Sequence, residues 1–110
     1  MPEEKTLRSR SIFKGRAFNV RVDTVLDVSG NETTREIVEH AECVAVVPVD
    51  SNGDILLVRQ FRKAIEKDLL EIPAGGIDPG EDPETAVKRE LQEEIGMLPG
   101  KVTRLGGYYS

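Results

Sequence analysis

Polar and apolar residues first alternate between Phe18 and Val28, where Phe18, Val20 and Val22 fall on one side and Asn19, Arg21 and Asp23 on the other. A period of two predicts a half-buried strand with the apolar set as its covered face. Ser29-Gly30-Asn31 is a turn signal, so Thr33 to Val38 reads as the returning strand of a hairpin. From Cys43 to Val49 the apolar run is nearly continuous, as in a strand covered on both faces. Asp50-Ser51-Asn52-Gly53-Asp54 turns it into Ile55 to Arg59, giving a second hairpin. Leu69 to Ile72 is a short strand that stops at Pro73, and Gly75-Gly76 opens a loop running to Asp82.

The period then becomes helical. Asp82 is placed to cap the helix, Pro83 suits its first position, Glu84 suits its first turn, and Gly96 stands just past the end. Val87, Leu91 and Ile95 recur every four residues and form its buried stripe. Beyond it, Lys101 to Leu105 reads as a strand that Gly106-Gly107 bends. Ahead of all these elements, residues 1–16 are largely polar, with Phe13 an apolar outlier, and are expected to fray or to dock on a partner surface. The chain of 110 residues thus divides into a polar segment, 1–16, and one domain, 17–110.

Composition narrows the setting. At 38% apolar and 32% charged, with no apolar run near the roughly 20 residues of a membrane span and no apolar stretch behind the first charges, the chain reads as soluble and cytoplasmic, without a membrane partner. The single Cys43 has no internal disulfide partner, and its apolar surroundings make it a small buried hydrophobe. A net charge of −5 argues against nucleic acid as a partner. An acidic chain that handles a phosphate ligand needs local positive charge, from bound metal ions or from a few placed arginines.

Both sources have candidates. On the helix Glu90, Glu93 and Glu94 stand at i, i+3 and i+4, which confines three carboxylates to an arc of about 100°. They repel one another unless a hard cation sits among them, and Mg²⁺ favours such oxygen donors. Taken alone, the same spacing also describes a solvated acidic face. The preceding loop adds Gly75, Gly76 and Gly80, whose backbone freedom lets main-chain carbonyls approach the same cations, and Arg89 is able to grip a carboxylate with two bonds.

Read together, these residues give Gly75, five residues, Glu81, seven residues, Arg89-Glu90-Leu91, one residue, Glu93-Glu94, one residue, Gly96-Met97. This pattern resembles the box of the Nudix hydrolases at every defined position. Val58-Arg59-Gln60-Phe61-Arg62 and Leu70-Glu71-Ile72-Pro73-Ala74-Gly75 are similar to the ADP-ribose pyrophosphatase branch of that family, and the likeness runs from about Phe13 to Ser110. The resemblance implies an α+β fold, a Nudix-type α/β/α sandwich with a mixed β-sheet. It implies hydrolysis of the diphosphate linkage of ADP-ribose or a related nucleoside diphosphate sugar to AMP and a sugar phosphate, with Mg²⁺ or Mn²⁺ as cofactor. It also implies a homodimer with exchanged N-terminal strands.

By position, the resemblance makes Glu90 and Glu94 the principal metal ligands, with Glu93 sharing cations and the Ala74 carbonyl completing the set. Glu81 and Arg89 would support that shell, and the catalytic set would be Glu93, Glu94 and Arg89. Arg62 resembles the arginine that grips substrate phosphate or ribose, with Arg59 and Glu71 as further substrate contacts or, alternatively, as ion pairs at a strand end. Phe13 and Phe18 read as core aromatics, with stacking on adenine as the alternative, and His40 reads as structural. Related chains continue past the position of Ser110 with strands, a loop bearing a catalytic glutamate and a helix. The fold is therefore expected to be incomplete at the C-terminus, and the general base is left between Glu93 and a group outside the chain. Two alternatives follow: a catalytically silent nucleotide-binding module, or a hydrolase acting on NADH, dinucleoside polyphosphates or coenzyme A derivatives.

Overall fold

The computed structural model describes residues 3–109, and its contacts divide the chain between Ala41 and Glu42 into two units. In the first, β1 (Lys5–Lys14), β2 (Asn19–Leu26) and β3 (Glu32–Glu39) form an antiparallel sheet in the order β1-β2-β3. The turn between β2 and β3 forms where the sequence signals it. The Asp27 carboxylate accepts the amides of Ser29 and Asn31, both at 2.9 Å, and Gly30 takes a φ of +87° that a side chain would resist.

Two expectations for this region are overturned. The polar segment, expected to fray or to dock on a partner surface, does not fray: it contains the ten-residue strand β1, which pairs with β2 from Lys5 opposite Leu26 to Lys14 opposite Asn19. All ten of its residues are exposed, and its apolar residues Leu7, Ile12 and Phe13 do not alternate; backbone pairing with β2 makes the strand. On β2 the alternation is real but the covered face is the other one. Asp23 and Val25 are its most buried residues, at 5% and 4% exposed, whereas Phe18 is 44% exposed.

A carboxylate tolerates that burial because its oxygens are satisfied. The Ser9 hydroxyl donates to Asp23 at 2.7 Å, and Arg21 Nε reaches both carboxylate oxygens at 3.1 and 3.2 Å. Ser9 first, and Arg21 after it, hold the Asp23 carboxyl below the ordinary carboxylate range, while burial pulls the other way. A depressed folded-state pKa gives stability that is present above the unfolded value, about 4, and is lost as pH falls through the folded value. Ser9→Ala is therefore expected to lower Tm most near neutral pH, with a deficit that shrinks as both proteins are acidified. A Tm-against-pH series checks this, and a deficit independent of pH would count against it.

In the second unit, β4 (Cys43–Ala45) pairs with β7 (Ala74–Gly76), and β5 (Val58–Arg62) pairs with β6 (Lys67–Glu71), both antiparallel. The turn at Asp50–Asp54 is present, closed by the Asp50 carboxylate and by Gly53 at φ +83°, but its flanks meet only at the bridge between Val49 and Ile55. The run from Cys43 is not a strand covered on both faces. Only three residues are ladder, half-buried Val44, Val46 and Pro48 alternate with exposed neighbours, and Cys43 itself is exposed. Gly75 and Gly76, expected in a loop, lie in β7 because β4 offers them a pairing edge. A 3₁₀ turn, Lys63–Ile65, with Glu66 left-handed at φ 55°, joins β5 to β6. The strand expected over 101–105 does not form, and that segment carries no regular structure.

The helix α1 (Pro83–Ile95) matches its punctuation. Asp82 caps it by accepting the Thr85 amide at 2.8 Å, and Gly96 ends it in the left-handed conformation. Ala86, Val87 and Leu91 are buried where α1 packs on β4 and β7, with Pro73 fully buried in the same unit. Burying a side chain such as Leu91 contributes about 1.5–3 kcal/mol, so this stripe fixes which face of α1 meets β7. The α+β class stands. Among the described residues its sheet component consists of antiparallel ladders, and Ser110, where the expected incompleteness falls, lies outside them.

Candidate functional site

The packing of α1 on β7 brings Glu90 against Gly75. Glu90 is 8% exposed, and a Cβ built on Gly75 would lie 2.1 Å from its Cδ and Oε1. No side chain fits there, so the glycine serves close approach, not a turn. One residue back on the helix, Arg89 gathers the surrounding acceptors. Its Nε and Nη2 bind Glu81 at 3.0 and 2.9 Å, Nη1 binds Glu90 at 2.9 Å and Glu93 at 3.3 Å, and Nη2 also donates to the Gly76 carbonyl at 2.8 Å. Glu81 is in turn fixed by the Asp78 amide at 3.1 Å, and both contacts hold its carboxyl below the ordinary range, Arg89 being the larger cause. Arg89 thus ties strand, loop and helix together through hydrogen bonds to each. Asp78, 3.5 Å from Arg89, belongs to this cluster and has no signal in the sequence beyond its place in the loop.

Glu94 stands apart from that network. Burial first, and the Glu90 charge second, push its carboxyl above the ordinary range, while the Ala74 amide and Arg62 pull it down. Its Oε2 is buried without a hydrogen-bond partner, a condition that native proteins rarely leave unmet. Arg62, on β5, grips Glu71, on β6, through two bonds: Nε donates at 2.7 Å and Nη2 donates to the second oxygen. Arg59 is three residues from Arg62 along a regular strand, and so lies on the opposite face of the β5–β6 ladder; the structure does not bring it to this group.

The three helix carboxylates are only partly gathered. No set of three or more His, Cys, Asp or Glu side chains among the described residues is placed to hold a metal ion: Glu90 is engaged by Arg89, Glu93 is largely exposed, and only Glu94 is unsatisfied. The pair Glu90 and Glu94 nevertheless fits a hard cation. Both offer oxygen donors, the Glu90 charge raises the cost of charge on Glu94, and an added positive charge would supply the partner that Oε2 lacks.

The remaining expectations fall in the first unit. Phe13 and Phe18 lie with ring centroids 5.6 Å apart and are 50% and 44% exposed, so they pair with each other and do not fill a core. His40 Nδ1 lies 3.0 Å from the Ala41 carbonyl. Two shallow concavities lie on this unit, one over Arg8, Arg10 and Thr24 and one beside Phe18 and Glu39; no residue of the carboxylate cluster lines either.

A family model described as the NUDIX domain matches residues 39–110. The chain is 42% identical over 108 residues to an ADP-ribose pyrophosphatase of Bacillus subtilis (strain 168), covering 98% of this chain and 58% of that protein. It is 45% identical over 94 residues to a methanol dehydrogenase activator of Bacillus methanolicus, covering 86% of this chain and 51% of that one. The crystal structure of an ADP compounds hydrolase superposes with a TM-score of 0.80 at 26% identity, covering 92% of this chain and 55% of the other. The chain spans about half the length of the curated relatives it matches. A family model that covers more than half of the chain, over the same glycine, arginine and carboxylates that converge at the helix, shows that this protein belongs to the Nudix family.

Proposed function

We propose that this protein hydrolyses the diphosphate linkage of ADP-ribose or a related nucleoside diphosphate sugar, releasing AMP and a sugar phosphate. The observation that carries the reading is the buried, unpartnered Oε2 of Glu94 beside Glu90, on a helix whose neighbouring strand has a glycine where any side chain would displace Glu90. Relatives named ADP-ribose pyrophosphatase support the substrate class. Nudix hydrolases use divalent metal ions, and Mg²⁺, or Mn²⁺ in its place, suits the hard oxygen donors here. When bound, such an ion neutralises phosphate charge and lowers the pKa of a bound water.

Glu90 and Glu94 would hold the ion, with Glu93 and the Ala74 carbonyl as further donors. Arg89 keeps Glu90 oriented and restrains Glu93. Arg62, near enough to Glu94 for each to feel the other's charge, is the cation suited to a substrate phosphate. The test is AMP release from ADP-ribose by the chain, with Mg²⁺ and with EDTA. Mg²⁺-dependent release supports the reading; folded protein that binds ADP-ribose without turnover would make it a silent binding module, and preference for NADH or a dinucleoside polyphosphate would change the substrate.

The same proposal includes a cytoplasmic homodimer. No helix among the described residues is long and apolar enough to cross a membrane. Support for the dimer comes from one face of the first sheet. In rows across β1, β2 and β3 it carries Phe13, Val20 and Val38; Arg10, Val22 and Glu36; Arg8, Thr24 and Thr34; and Lys5, Leu26 and Glu32. A second copy turned about an axis parallel to β2 sets Arg10 over Glu36, Lys5 over Glu32 and Phe13 over Val38, with Arg8 over the neutral Thr34. Arg10→Glu is expected to shift the chain toward monomer in size-exclusion chromatography, and the added change Glu36→Arg to restore the dimer. A parent that is monomeric throughout would refute this part of the proposal.

A further inference from the structure

We propose that Glu71 is a positioning residue: it locks the Arg62 guanidinium from one edge so that the other edge is presented, already oriented, to a phosphate oxygen beside Glu94. The inference rests on the diphosphate chemistry proposed above and assigns Glu71 a role other than direct substrate contact. A guanidinium has five N–H donors in one plane. The bonds to Glu71 use Nε and Nη2, one edge of that fork, and leave Nη1 with the second Nη2 hydrogen as an unused edge. Both Glu71 oxygens are taken by Arg62, so Glu71 acts through the arginine.

The pair is not a by-product of strand register. Directly across the ladder Arg62 faces Lys67, and Glu71 faces Val58. Arg62 therefore turns away from a like charge and reaches along the hairpin face to a carboxylate several rows away. Glu71 stands three residues before Ala74, the strand residue whose amide addresses Glu94. The salt bridge thus fastens the arginine to the segment that leads into the carboxylate cluster. Glu71 is the less exposed partner, its side chain at 23% against 50% for Arg62, as expected of an anchor that holds a more mobile, solvent-facing group. An arginine locked in this way gives up less rotamer freedom when it binds an anion than a free one does.

The test uses inorganic pyrophosphate as the probe, titrated calorimetrically into the whole chain in EDTA, with ADP-ribose kinetics in Mg²⁺ alongside. Glu71→Gln is expected to weaken pyrophosphate binding about tenfold, Glu71→Asp to recover part of the loss, and Glu71→Gln to add nothing once Arg62 is alanine. In kinetics Glu71→Gln should raise KM with kcat little changed, since the lost contact serves ground and transition states alike. Unaltered pyrophosphate binding by Glu71→Gln, or the same loss in the Arg62→Ala background, overturns the inference, as does wild-type binding that is indifferent to Arg62. Absence of ADP-ribose turnover by the wild type overturns the proposed function instead, and leaves the pyrophosphate cycle fully readable.

Discussion

Glu94→Gln is expected to remove nearly all diphosphate hydrolysis while leaving the metal-free protein at least as stable as its parent. The two effects have one cause. In the metal-free protein Glu94 holds a carboxylate that burial and the Glu90 charge both disfavour, with Oε2 facing no donor. An amide keeps the size and one acceptor but carries no charge, so the repulsion disappears and Tm in EDTA should hold or rise. Activity moves the other way. Loss of groups that merely orient a metal ligand commonly costs 10–100-fold, so loss of a ligand itself should cost at least about 100-fold in kcat. Steady-state assay of AMP release with Mg²⁺, paired with thermal melts in EDTA, reads both. Activity within tenfold of the parent would remove Glu94 from the metal site, and a clear drop in metal-free Tm would show that its carboxylate is stabilising after all.

What the sequence discloses about this site divides along a physical line. The helix is legible because its determinants are local: Asp82 bonds an amide three residues away, Gly96 takes a conformation that favours glycine, and Val87 and Leu91 share a face by periodicity alone. The turns at Asp27 and Asp50 are legible for the same reason, each carboxylate satisfying amides two and four residues on. Contacts made across the sheet are not. No period of two in Lys5–Lys14 announces a strand, because the strand is made by backbone pairing with β2. On the covered face of β2 the Asp23 carboxylate is satisfied in part by Ser9, fourteen residues away. Arg59 and Arg62 look equivalent as charges, but a spacing of three on a strand puts them on opposite faces, a distinction that needs the ladder to be known first. Cys43 sits in an apolar run and is nevertheless exposed, since hydrophobic composition does not say how many faces of a short strand will be covered.

Gly75→Ala is expected to damage activity and stability together, and the neighbouring Gly76→Ala to damage neither. The two glycines are adjacent in β7, and they differ in what stands opposite the missing Cβ. At Gly76 nothing lies within 4 Å, and its peptide contribution, the carbonyl that accepts Arg89, survives the substitution. Its cost should be about 0.5 kcal/mol or less. At Gly75 the added methyl meets the Glu90 carboxylate at 2.1 Å. The far end of an exposed glutamate would swing away, but Glu90 is buried and held by Arg89, which is itself tied to Glu81 and Gly76. Relief therefore requires α1 to move off β7 or Glu90 to leave Arg89. Overpacking of this kind costs about 1–3 kcal/mol. A displacement of about 1 Å in a positioning group lowers rate by about 100-fold, so kcat should fall by that order even in the fraction that remains folded. Comparing both variants by thermal melt and by AMP release separates the causes: equal behaviour of the two would mean that the close approach of Glu90 to Gly75 does not set the geometry of the site. The contrast also isolates backbone freedom from backbone proximity, because Gly75 is not among the residues at positive φ. Its requirement for glycine comes from the carboxylate beside it.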